Sequence, residues 1–129
     1  MLIAGCGGGS APPDREQVGS VVLTYARAFG AGDGGKACDQ LTPAGRAGFL
    51  KLVSVLADTH DCATGMHLLR QAIGPQAAAA LHAARVSNIR LSGSTATATI
   101  TAGAEGAVVR LAKQGGRWRL VAAPGITPR

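Results

Sequence analysis

The hydrophobic period of this 129-residue chain changes once, near Arg85, and does not change back. Before that point apolar residues recur at every third or fourth position, and after it they alternate with polar ones. The first spacing lines one face of a helix and the second one face of a strand, so helices precede strands. Crossover units would interleave the two periods, and a parallel sheet needs them. What remains is an α+β domain, with N-terminal helices packed on one face of a C-terminal four-stranded antiparallel sheet.

Val18, Val21, Val22, Tyr25 and Phe29 mark a helix from Asp14 to about Phe29, opened by Pro13 and Asp14 and closed by Gly30. Gly30 to Gly35 reads as a turn in which Asp33 caps a short helix through Leu41. Thr42 and Pro43 form an N-cap and first-turn pair for a third helix to about Ala57, burying Phe49, Leu52, Val53 and Leu56. The polar break Asp58-Thr59-His60-Asp61 precedes a fourth helix from Cys62 to Ile73, which Gly74-Pro75 ends. Gln76 to Ala84 is Ala-rich and continues as a short helix.

Val86 to Leu91, Thr95 to Thr101, Ala107 to Lys113 and Arg117 to Ala122 read as strands joined by short Gly-containing links, a meander. Alternation aims Ile89, Leu91, Ala96, Ala98, Ile100, Val109, Leu111, Trp118 and Leu120 at the helices. Arg90, Thr95, Thr97, Thr99, Arg110, Arg117 and Arg119 face away, giving either a solvated β-face or a docking surface.

Hydrophobic residues make up 47% of the chain and charged ones 16%, which excludes a disordered tail protein. No apolar run approaches the ~20 residues a membrane-spanning helix needs. A net charge of +6 favours anionic partners in general. The basic residues are spread singly and aromatics are only 3%, so nucleic acid is not an expected partner. Anionic lipid or cell wall fits the charge better.

Residues 1–13 form a separate segment. Ile3-Ala4-Gly5-Cys6 is similar to a bacterial lipobox, whose cysteine receives diacylglycerol, and the Gly/Ser/Pro stretch to Pro13 reads as a flexible tether before a domain spanning 14–129. Only five residues precede Cys6 and none is basic, so we read the segment as the end of a longer signal peptide whose start lies upstream. The other reading makes Cys6 an ordinary terminal thiol. On the first, the protein is extracytoplasmic and lipid-anchored to the outer face of the cell membrane.

Three cysteines in an exported chain divide into one lipid acceptor, Cys6, and one pair, Cys38 and Cys62. A disulfide between the pair closes a loop worth about 3 kcal/mol. A metal site built from Cys38, His60, Cys62 and His67 matches no standard zinc spacing, and no metal or other cofactor is expected. Gly30 to Lys36 nearly spells a P-loop, but Ala37 stands where a magnesium-binding hydroxyl belongs and the run follows a helix rather than a strand. The seven acidic residues fall at helix ends, on exposed faces or in loops, none at an inward strand position, and no nucleophile motif appears.

With these residues in place the chain resembles small secreted lipoproteins of high-GC Gram-positive bacteria that carry a nuclear transport factor 2-like domain. The likeness runs from Val18 to Ala122. It is carried by Tyr25 and Phe29, Gly32-Asp33, Lys36-Ala37-Cys38 with Leu41, Thr42-Pro43, Cys62, the hairpin Gly93 to Ala96, and the closing Gly116-Arg117-Trp118-Arg119-Leu120. The resemblance implies a curved, cone-like sheet with Trp118 packed against the helices at its mouth, and Tyr25, Phe29 and Trp118 lining a pocket there. Ketosteroid-isomerase-like relatives use inward carboxylates and an oxyanion donor that this sequence does not show. The expected function is therefore non-enzymatic: a tethered domain binding a small apolar ligand or an envelope partner. An isomerase- or dehydratase-like enzyme using His67, and a module that dimerises or docks through the Thr/Arg face, are the alternatives.

Overall fold

The computed structural model describes residues 12–55 and 58–124. Five helices, α1 (Asp14–Ala31), α2 (Gly34–Asp39), α3 (Pro43–Val53), α4 (Cys62–Ile73) and α5 (Pro75–His82), precede β1 (Arg85–Ser92), β2 (Thr95–Ala102), β3 (Glu105–Gln114) and β4 (Arg117–Leu120). The strands form one open antiparallel sheet in the order β1-β2-β3-β4. The architecture is α+β, as the period change requires. Cys6, the residues before Pro12, and Leu56 with Ala57 lie outside the described residues.

Local side-chain chemistry starts three of the helices. Asp33 accepts from the Lys36 N–H at 3.1 Å, Thr42 Oγ1 from the Gly45 N–H at 2.9 Å, and Asp61 Oδ2 from the Thr64 N–H at 2.9 Å. Each satisfies an N–H that the first helical turn leaves without a carbonyl partner.

Helix α1 runs past its expected stop. Gly30 is helical, and the cap is Gly32, in the left-handed conformation at φ 86°. Gly30 serves close packing instead: a Cβ there would lie 2.6 Å from the Ala78 carbonyl oxygen and 2.7 Å from the His82 nitrogen of α5. The Gly30 carbonyl accepts from Arg70 Nε at 2.9 Å, tying α4 to the same point. Gly30→Ala should push α5 away from α1 and cost about 1–3 kcal/mol, read as a fall in urea midpoint; an unchanged midpoint would contradict this close contact.

The core lies between α1 and the sheet. Val18, Val22, Tyr25 and Phe29 pack toward Ala96, Ala98, Ile100, Val109, Leu111, Trp118 and Leu120, all buried. Three details depart from or add to the sequence reading. Leu91 takes the inner face as expected but, on the edge strand β1, stays 39% exposed. Leu52 is 44% exposed: Phe49 and Val53 make the contact with Gly65 of α4, and Leu52 sits off that line.

The third concerns the rhythm of β1. Two residues, Asn88 and Ile89, stand opposite Ala98 alone, between the pairs Ser87↔Thr99 and Arg90↔Thr97. This bulge, with Asn88 at φ 51°, resets the alternation, so Val86 and Leu91 both share the inner face with their partners Ile100 and Ala96. Strict alternation would have placed Val86 outside.

The far edge of the sheet is covered by the segment leading into α3. The Leu120 N–H donates to the Gln40 carbonyl at 2.7 Å, and the Thr42 N–H donates to the Leu120 carbonyl at 2.8 Å, so residues 40–42 pair with β4 in parallel. No described helix is long and apolar enough to cross a membrane.

Candidate functional site

Tyr25 and Phe29, the aromatic pair on α1, are core residues at 2% and 3% exposure, with ring centroids 6.2 Å apart and nearly parallel. Burial pushes the Tyr25 hydroxyl well above its ordinary pKa, and its partner is the Met66 sulfur, at 3.9 Å. A phenol so placed stays neutral across the physiological range. The third residue of the expected pocket, Trp118, is also buried, yet one edge of its ring reaches a groove.

That groove holds about 400 Å³ and is lined by Pro12, Glu16, Gln17, Ser20, Val21, Arg117 and Trp118. It is shallow and open, running along the exposed flank of α1 where the helix meets β4. Tyr25 and Phe29 do not line it.

Beneath one end of the groove sits a cluster that sequence reasoning did not assemble. The Trp118 indole N–H and the Lys113 ammonium both donate to Asp14 Oδ1, each at 3.1 Å. Lys113 pairs with Trp118 across β3 and β4 and therefore shares its inner face. The signal was present, because the alternation that turns Val109 and Leu111 inward turns Lys113 inward too. Its partner is 99 residues away in sequence, at the start of α1.

The Trp118 hydrogen bond first, and the Lys113 hydrogen bond and charge next, hold the Asp14 carboxyl below the usual aspartate range. A carboxylate whose folded pKa is depressed stabilises the fold above its unfolded pKa, and that contribution is lost as pH falls through the folded value. The side chain is 41% exposed, so water screens the pair. Asp14→Asn should therefore lower the urea midpoint at neutral pH, with the gap from the parent protein closing only as the pH falls below the ordinary aspartate range. A gap equal at neutral and at such acid pH would mean the carboxylate charge plays no part.

The sulfur atoms of Cys38 and Cys62 are at disulfide bonding distance, with Cα atoms 6.2 Å apart, and the pair joins α2 to the start of α4. Gly34 allows that approach: a Cβ on it would lie 2.5 Å from the Ala63 carbonyl oxygen. His60 and His67 are exposed, and His67 projects from α4 away from the core. Among the described residues no three His, Cys, Asp or Glu side chains gather in a metal-binding group.

The outer face of the sheet carries Arg90, Arg110 and Arg117, all exposed, with Arg119 half-buried, and Thr97 and Thr99 between them. Val108, 69% exposed, is the large apolar residue on that face. Comparison with known proteins finds no matching family model, no matching curated protein and no matching solved structure.

Proposed function

We propose that this chain is a membrane-tethered extracytoplasmic domain, not an enzyme, that binds an envelope partner through its surface. The observation that carries the reading is the Cys38 and Cys62 pair at bonding distance. Disulfides persist in oxidising compartments and are rare in a reducing cytosol, so a closed pair supports export. Export in turn supports reading Ile3-Ala4-Gly5-Cys6 as a lipobox with Cys6 as the lipid acceptor.

Packing favours a protein or surface partner over a small apolar ligand. Tyr25, Phe29 and Trp118, the residues expected to line a pocket, are buried in the core, and Tyr25 and Phe29 do not reach the groove. The helices-then-meander order and the Gly115-Gly116-Arg117-Trp118-Arg119-Leu120 ending, with its tryptophan packed beside α1, support the finer, nuclear transport factor 2-like reading of the fold. The isomerase-like alternative draws no support from His67, which is exposed.

The test of the partner version is solvent extraction of the protein purified from its native host. We expect no small molecule in stoichiometric yield. A one-to-one yield would return the function to ligand binding, with the groove beside Trp118 as the place to look.

A further inference from the structure

The outer sheet face carries charge of one sign. Cross-strand pairs share a face, and the register sets Arg85 beside Thr101, Arg90 beside Thr97 and Arg110, and Ala112 beside Thr95 and Arg119, with Arg117 opposite Gln114. All lie opposite the side on which Ala96, Ala98, Val109 and Leu111 are buried. No carboxylate joins them at a strand position. Six of the seven acidic residues are on helices or helix connections. The seventh, Glu105, expected in a loop and not at an inward strand position, instead opens β3 and pairs with Ala102, which puts it on the inner side.

The spacing says what kind of anion fits. Arg90 and Arg110 are separated by two strand spacings, about 10 Å between Cα atoms. Arg85, Arg117 and Arg119 occupy other rows of the same face. The guanidinium groups are thus laid out in two dimensions rather than converging on one pocket. The exposed Arg85, Arg90 and Arg110 can each take a phosphate by a planar fork of donors, while Arg117 also donates to the Asp39 carbonyl and Arg119 Nε is buried. A linear polyanion would follow a line of charge, and bases would need aromatic partners, which this face lacks.

We infer that this face docks on an anionic bilayer surface, its arginines on lipid phosphates and the β2 threonines between them. Pro12 lines the groove between α1 and β4 together with Arg117, so the chain enters the domain on the helical side, at the β4 end of the sheet. Cys6 is six residues earlier, a reach of at most about 20 Å, so an anchor there keeps the β4 end of the sheet, with Arg117, within that distance of the membrane. The positional argument rests on the tethered reading. The charge pattern does not.

The test uses the full chain with Cys6→Ser, which removes any anchor and makes the outcome independent of whether Cys6 is lipidated. It should sediment with vesicles of phosphatidylcholine containing roughly one-third phosphatidylglycerol, not with phosphatidylcholine alone, and added salt should release it. Adding Arg90→Gln and Arg110→Gln should weaken binding about fivefold for each arginine removed. Arg27→Gln with Lys51→Gln, an equal loss of charge on exposed helix positions, should have a much smaller effect.

Equal loss in both pairs, or sedimentation with neutral vesicles, would overturn the proposal. So would binding to soluble polyphosphate without binding to acidic vesicles, which would assign the face to a linear polyanion. A dimer in sedimentation velocity that Arg90→Glu dissociates would assign it to a second copy and overturn the bilayer reading equally.

Discussion

Trp118→Ala is expected to cost about 3–5 kcal/mol and to leave the chain close to its unfolding limit at 25 °C. Trp118 is 1% exposed, so truncation leaves an indole-sized void between α1 and β4. It also strips Asp14 Oδ1 of one of its two donors, leaving Lys113 alone on that oxygen. Trp118→Phe separates the two losses, since it keeps most of the ring and removes only the indole N–H. The alanine variant should therefore lose at least twice as much as the phenylalanine variant in urea titration. Losses of similar size in both would place the value of Trp118 in its hydrogen bond, and contradict its assignment to the packed core.

Loss of the Cys38–Cys62 bond comes second. The two residues are 24 apart in sequence, and opening a loop of that length costs about 3 kcal/mol in the chain-entropy account. For a domain of this size the melting temperature should fall by roughly 10 °C. Cys38→Ser with Cys62→Ser should show this drop, and the parent protein should match it under reductant. The bond carries this weight because α2 has only six residues, GGKACD, too few to bury much apolar surface alone. A melting temperature unmoved by reductant would mean that the helical contacts hold α2 to α4 without the bond.

The α+β order was legible because a period of 3.6 and a period of two cannot be confused over stretches this long. The caps at Asp33 and Thr42 were legible for a related reason: each acts on an N–H three residues away, as does Asp61, which the sequence offered only as the end of a polar break. Gly30 and Gly32 were not separable by sequence. Both are glycines near a helix end, and what distinguishes them is α5, whose backbone crowds Gly30 from more than 45 positions along the chain. The bulge at Asn88 was hidden similarly, since it is a property of how β1 pairs with β2 rather than of either strand.

The candidate site was legible only in parts. Aromatic residues on α1 and β4 could be named, but core and pocket lining look the same in sequence, and packing made Tyr25 and Phe29 core. The joining of Asp14 to Trp118, 104 residues later, needed the fold itself. The arginine face could be listed from alternation, while its freedom from carboxylates followed only once Glu105 was paired with Ala102.

The most direct test of the tethered, extracytoplasmic reading is the intact mass of the protein made in its native host from its own gene, with and without reductant. The account predicts a diacylglycerol adduct on Cys6 and a two-dalton gain on reduction as Cys38 and Cys62 open. An unmodified chain with three free thiols would contradict it, and would place the protein in a reducing compartment.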